Sequence, residues 1–157
     1  MVWASRGHTP VIKLDPSRKS THFYGALNLL TGQEVAMQSP TMNAETSALF
    51  LQKLLVAIPD APIILLWDRA PWHRGLEISQ ILDNNPRLQI IRFPTAAPDL
   101  NRQEQVWKAT RKAVSHNHPS KNLNTLAQDF EAHLTSTTFP CSFLHKFNYP
   151  SICMLFK

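Results

Sequence analysis

The chain of 157 residues has only two cysteines and four glycines, and this scarcity closes several routes to chemistry. Cys141 and Cys153 stand twelve positions apart, with no CxxC and no matching histidine pair. That spacing argues against a zinc or dithiol site and for two reduced, structural thiols. No GxxxxGK[ST] occurs, which excludes a P-loop that cradles phosphate on glycine backbone. No apolar run approaches the roughly 20 residues needed to cross a bilayer. The opening stretch MVWASRGHTP also lacks the apolar core of a secretory signal, so the expected setting is cytoplasmic, with no membrane partner. Acids are in short supply too: 11 Asp and Glu face 16 Lys and Arg, for a formal charge of +5.

What is present describes a globular protein. A 43% apolar and 17% charged composition suits one folded domain over 1–157 rather than a disordered chain. The positive charge is unevenly placed: Arg102, Lys108, Arg111, Lys112 and Lys121 lie near only Asp99 and Glu104. Such clustering is what contact with a polyanion requires.

Periodicity orders the chain. PVIKL, a DPS turn, THFYGALNLL, a TG turn and QEVAMQS read as extended segments with an antiparallel hairpin. From Asn43 to Ile58 the spacing turns helical, with Asn43 as cap and Pro59 as stop. IILLW is a buried-looking strand, GLEISQILDNNP a helix ended at Asn84, Asn85 and Pro86, and RLQIIRF a further strand. A helix is expected from about Asp99 to Ser115, and another with Leu123, Leu126, Phe130 and Leu134 as its buried stripe. The tail FPCSFLHKFNYPSICMLFK reads as coil packed against the body. Strand–helix–strand order implies parallel neighbours, so the fold class is α/β, a mixed sheet with flanking helices.

In open α/β sheets functional groups gather beyond the carboxyl ends of strands. Asp68 ends IILLW, and His73 follows one short loop later. Asp68 would also serve as a turn cap or as a partner for Arg69 or Arg74. Glu104 lies three residues after Asn101, which is capping-box spacing, and one turn before Lys108. If RLQIIRF runs parallel to IILLW, the loop PTAAPDLN leaves the same sheet edge and brings Glu104 toward Asp68. Two converging carboxylates suit Mg²⁺ or Mn²⁺. A pair of such ions about 4 Å apart supports phosphodiester chemistry.

WDRAPWH, followed by FPTAAPDLNRQEQVWKATRKAV, resembles the DDE transposases of bacterial insertion sequences, in the mariner-related branch. The likeness extends upstream through WASRGHTP and the GALNLLTG hairpin, and thirty-five residues lie between Asp68 and Glu104, close to that branch's spacing. The resemblance implies an RNase H-like catalytic domain, with Asp68 as the second catalytic and metal-binding carboxylate and Glu104 as the third. His73 and Asn101 fall beside the site, His73 either as a structural hydrogen-bond partner or as a DNA contact, Asn101 first as the helix cap. Trp67, Trp72 and Trp107 are expected to pack rather than stack on bases. Arg69 and Arg102 replace the family's usual Asn and Pro, adding positive charge near the metals.

The family's first Asp lies on a strand upstream of the WASRG segment, and this chain starts at Met1. The resemblance therefore implies a partial domain without its central first strand and without the helix-turn-helix region, and nothing suggests that Asp15 substitutes. The expected partners are DNA (transposon ends and target), an upstream transposase fragment that supplies the missing Asp, and a second copy as a homodimer. The isolated chain is expected to be inactive. The alternative is a non-catalytic remnant that binds DNA weakly through Arg69, Lys108, Arg111 and Lys112, the last three sharing one helix face.

Overall fold

The structure, a computed structural model, describes residues 20–94, 100–115 and 122–139. The expected PVIKL strand, Asp15, most of the PTAAPDLN loop, Lys121, both cysteines and the C-terminal tail lie outside these residues.

Two strands, β1 (His22–Leu27) and β2 (Glu34–Ser39), form the hairpin that the TG turn foretold. They pair antiparallel, from His22 opposite Ser39 to Leu27 opposite Glu34. Asn28 organises the connection: its Oδ1 accepts from the Leu30 and Thr31 amides, and its carbonyl from the Gly32 amide. Gly32 adopts φ +75°, and a Cβ there would meet the Phe139 carbonyl oxygen, so this position needs glycine on two grounds.

Helix α1 (Ala44–Ala57) begins where the sequence placed it, with Asn43 and Thr46 closing a reciprocal capping box. The Tyr24 hydroxyl reaches from β1 to that first turn, 2.9 Å from Thr46 Oγ1 and 3.1 Å from Ser47 Oγ. At the other end Arg87 donates to the carbonyls of Leu55, Ile58 and Ala61, satisfying acceptors that a helix C-terminus leaves open.

Strand β3 (Ile63–Trp67) runs parallel to β4 (Leu88–Arg92), Ile63 opposite Leu88 and Trp67 opposite Arg92. A short 3₁₀ turn, Pro71–His73, and helix α2 (Leu76–Asn84) connect them. Ile63, Leu65, Trp67 and Leu88 join Leu51, Leu54, Ile78 and Ile81 in one core. The five-residue apolar run is not buried throughout, however. Ile64 is 53% exposed and Ile91 54%, because among the described residues the helices that pack on this pair cover one face.

Helix α3 (Gln103–Val114) and helix α4 (Leu123–Ser136) pack on the hairpin around a second core of Ala36, Val106, Leu134 and Phe139. Helix α3 starts later than the expected Asp99. Of the α4 stripe, Leu134 is fully buried and Leu123, Leu126 and Phe130 are half-buried.

The result is α/β, but among the described residues its strands form two separate pairs, β1–β2 and β3–β4. This is the α/β class with flanking helices that the sequence predicts, with antiparallel and parallel pairing in separate sheets. No helix of the described residues is long and apolar enough to cross a membrane.

Candidate functional site

A cavity of about 290 Å³ lies between the two strand pairs. Its walls include the run Phe23–Leu27 of β1, Ile64–Trp67 of β3 with Asp68 just beyond it, and Asn101–Glu104 at the start of α3. Asp68, His73, Asn101 and Glu104 all line it, together with the buried Arg102.

Asp68 stands one residue beyond β3. Its Oδ1 accepts from the Ala70 amide at 3.0 Å and lies 3.2 Å from His73 Nε2. The turn-capping role is therefore present, whereas among the described residues no ion pair joins Asp68 to Arg69 or Arg74. Its side chain is 49% exposed, so capping has not withdrawn the carboxylate from solvent.

His73 is 5% exposed, its ring tilted by 32° against that of Trp67 at a centroid separation of 3.8 Å. Burial pushes its imidazole down to about 4, with the Asp68 carboxylate pulling upward and Arg92 adding to the fall. At neutral pH the ring is uncharged, so the 3.2 Å approach of Nε2 to Asp68 Oδ1 is a polar contact rather than an ion pair. A carboxylate only accepts, which assigns the proton to Nε2 and leaves Nδ1 to accept from Ser47 Oγ, 3.5 Å away. Tyr24, Ser47, His73 and Asp68 thus form one polar chain across β1, α1, the 3₁₀ turn and β3. Sequence reasoning left His73 between hydrogen bonding and DNA contact; its burial favours the bond. It missed Ser47 and Tyr24, whose residue types carry no signal of their own.

Glu104 is exposed on the first turn of α3. Asn101 supports that turn, its Oδ1 accepting from the Gln103 amide and its carbonyl from the Glu104 amide. Arg102 holds the cap position in helical backbone conformation, without a side-chain cap bond. Glu104 is accordingly the second helical residue, and the expected capping box with Asn101 does not close. No ion pair ties Glu104 to Lys108 among the described residues.

Both acidic side chains offer oxygen donors open to solvent, the kind a hard divalent cation takes. Among the described residues no three metal-ligating side chains converge. The donors fit such an ion in kind, then, but two carboxylates make an incomplete set.

Arg69 does not line the cavity; its Nε donates to the carbonyl of Phe93, which does, at 2.8 Å. Lys108, Arg111 and Lys112 are exposed along α3 on the side that carries Glu104. Trp67 is core, and Trp107 stacks on Phe130 at 6.3 Å, which agrees with packing roles. Trp72 lines the cavity, and its buried Nε1 has no hydrogen-bond partner among the described residues.

The model of one protein family, described as DDE superfamily endonuclease, matches residues 1–127. A curated relative, the insertion element IS630 uncharacterized 39 kDa protein of Shigella sonnei, is 26% identical over 142 residues, 88% of this chain and 40% of the relative. Among solved structures, the Mos1 transposase paired-end complex with left transposon end matches 95% of this chain and 47% of its own, at a TM-score of 0.66 and 15% identity. The chain thus spans less than half the length of each of these two relatives.

Proposed function

The chain belongs to the DDE superfamily endonucleases, in the branch of the IS630 and mariner transposases, and on that premise we propose that it carries the second and third catalytic carboxylates of a DNA transposase, Asp68 and Glu104. One observation carries this reading: the two acids arrive from a strand end and a helix start, with thirty-five residues between them, and line the same cavity.

Asp68 and Glu104 would hold Mg²⁺ or Mn²⁺. When bound, such ions activate water or a 3′-hydroxyl and stabilise the leaving oxygen of a phosphodiester. The chain's own contribution is orientation. His73 and the Ala70 amide both engage Oδ1 of Asp68, which turns the other oxygen toward ligands, a role that hydrogen bonds behind a metal site commonly play. Asn101 steadies the turn that presents Glu104. Lys108, Arg111 and Lys112 extend a positive strip from Glu104 along α3, suited to the phosphate backbone of transposon ends and target.

The family uses three acids, and two are found among the described residues of the cavity. The third comes from an extended segment entering between β1 and β3, either from elsewhere in the polypeptide or from a separate upstream product. Contiguous stretches of both strands line that gap, which favours strand addition, in which a peptide pairs with unsatisfied backbone.

Purified, the 157 residues are expected to leave supercoiled plasmid intact with Mg²⁺ or Mn²⁺. Adding the amino-terminal part of an IS630-type relative should restore nicking, and Asp68→Asn or Glu104→Gln should each remove it. Nicking that survives both substitutions would sink the assignment. Nicking by the chain alone that both substitutions abolish would keep the two acids and overturn the need for a third segment. The second reading, a non-catalytic remnant that holds DNA through the α3 cations, is favoured if DNA binds but no added segment restores cleavage.

A further inference from the structure

Glu34 opens β2 and is 6% exposed, yet it faces neither solvent nor the cavity. Its side chain passes over Gly25 of β1 to the first residue of α3, where Gln103 Nε2 donates to Glu34 Oε1. Gly25 makes the crossing possible: a Cβ there would lie 2.6 Å from the Trp107 ring and closer still to both polar atoms. Glu34 Oε2 is buried with no hydrogen-bond partner among the described residues. Stability alone disfavours such a half-satisfied carboxyl, since an apolar side chain of similar volume would pack there without that cost.

The position of the bond suggests what it does. Helix α3 has no side-chain cap bond from Arg102; its first turn is held by the Asn101 and Arg102 carbonyls, which accept from the Glu104 and Gln105 amides, and by contacts made by Gln103. Asn101 Oδ1 holds the Gln103 main chain, and Glu34 holds its side chain. The next residue is Glu104.

We propose that Glu34 is a positioning residue: by anchoring Gln103 it locks the first turn of α3 and sets where the Glu104 carboxylate enters the cavity. This rests on the reading of Glu104 as a metal-binding acid. The electrostatics agree with it. Burial pushes the Glu34 carboxyl up to about 8, the Gln103 bond opposing that rise, so at neutral pH the group is mostly uncharged and does not compete with Asp68 and Glu104 for a cation.

Amide hydrogen exchange on the whole chain, read residue by residue by NMR, tests this without activity. In Glu34→Leu the amides of Glu104 and Gln105 should exchange about tenfold faster, the scale of one buried hydrogen bond. Those of Leu51 and Leu54 in α1 should not change, and Glu34→Gln, which keeps the acceptor oxygen, should hold exchange near wild type. Unchanged exchange at Glu104 and Gln105 in Glu34→Leu, equal acceleration in α1, or no retention in Glu34→Gln overturns the proposal. If Glu34→Leu does not fold, Gln103→Met removes the other end of the bond and should loosen the same two amides; unaltered protection there overturns it equally. Line broadening by Mn²⁺ in the same samples reports on the underlying reading. Broadening around Asp68 that persists in Asp68→Asn and Glu104→Gln defeats the metal site, while the exchange result still decides the role of Glu34.

Discussion

Glu34 and His73 are both buried beside the cavity, and burial moves them in opposite directions. The folded-state pKa of Glu34, about 8, lies above its ordinary 4.5, so between those values the folded chain holds a proton that the unfolded chain releases. Its contribution is fully present below pH 4.5 and is lost as the pH climbs through 8. His73, at about 4 against 6.5, does the reverse: the unfolded chain binds the extra proton, and stability falls as the pH drops from 6.5 to 4. At about 1.4 kcal/mol per pH unit each, the two slopes cancel where they overlap. Denaturant unfolding should therefore show a plateau between pH 4.5 and 6.5, then a loss of about 2 kcal/mol by pH 8. In Glu34→Gln the loss above pH 6.5 should vanish, and stability should rise with pH from 4 to 6.5. A wild-type profile that rises through pH 8 would show that Glu34 ionises normally.

Elements were legible wherever local chemistry and periodicity agreed. The Asn43 cap, the hairpin and the parallel pairing of β3 with β4 all follow from side-chain types and their spacing. The start of α3 did not, because Asn101 supports the turn through the Gln103 amide from one residue further back than a cap. Burial of β3 was half legible. An apolar run does not say which faces will be covered, and Ile64 shows that one remained open. Gly25 is the element-scale case that no pattern announced: glycine in a strand suggests close approach, but not of what. Gly25→Ala should push Gln103 and Trp107 off β1 and cost about 1–3 kcal/mol, the usual penalty for overpacking. An unchanged unfolding midpoint in urea would mean that the three side chains move aside freely. Leu134→Ala, by contrast, empties the second core and should cost about 2–5 kcal/mol.

On the scale of the molecule, two strand pairs with their own helices flank a gap, and the positive strip on α3 runs from its edge. If that strip meets phosphate, affinity for duplex DNA should fall steeply with salt. Replacing Lys108, Arg111 and Lys112 together by Gln should flatten the log–log slope by about 2.7, at about 0.9 per phosphate contact. Fluorescence anisotropy across a salt series measures this, and an unaltered slope would place the DNA path elsewhere.

The order of elements, the capped start of α1 and the two acid-bearing motifs were determined by the sequence alone, because each depends on interactions within a few residues or on a repeating period. Only the tertiary structure decided that His73 is buried and uncharged, that Glu34 reaches Gln103 across 69 positions, and that the strands divide around a cavity. Those outcomes depend on desolvation and on contacts between distant segments, which exist only once the chain has closed on itself.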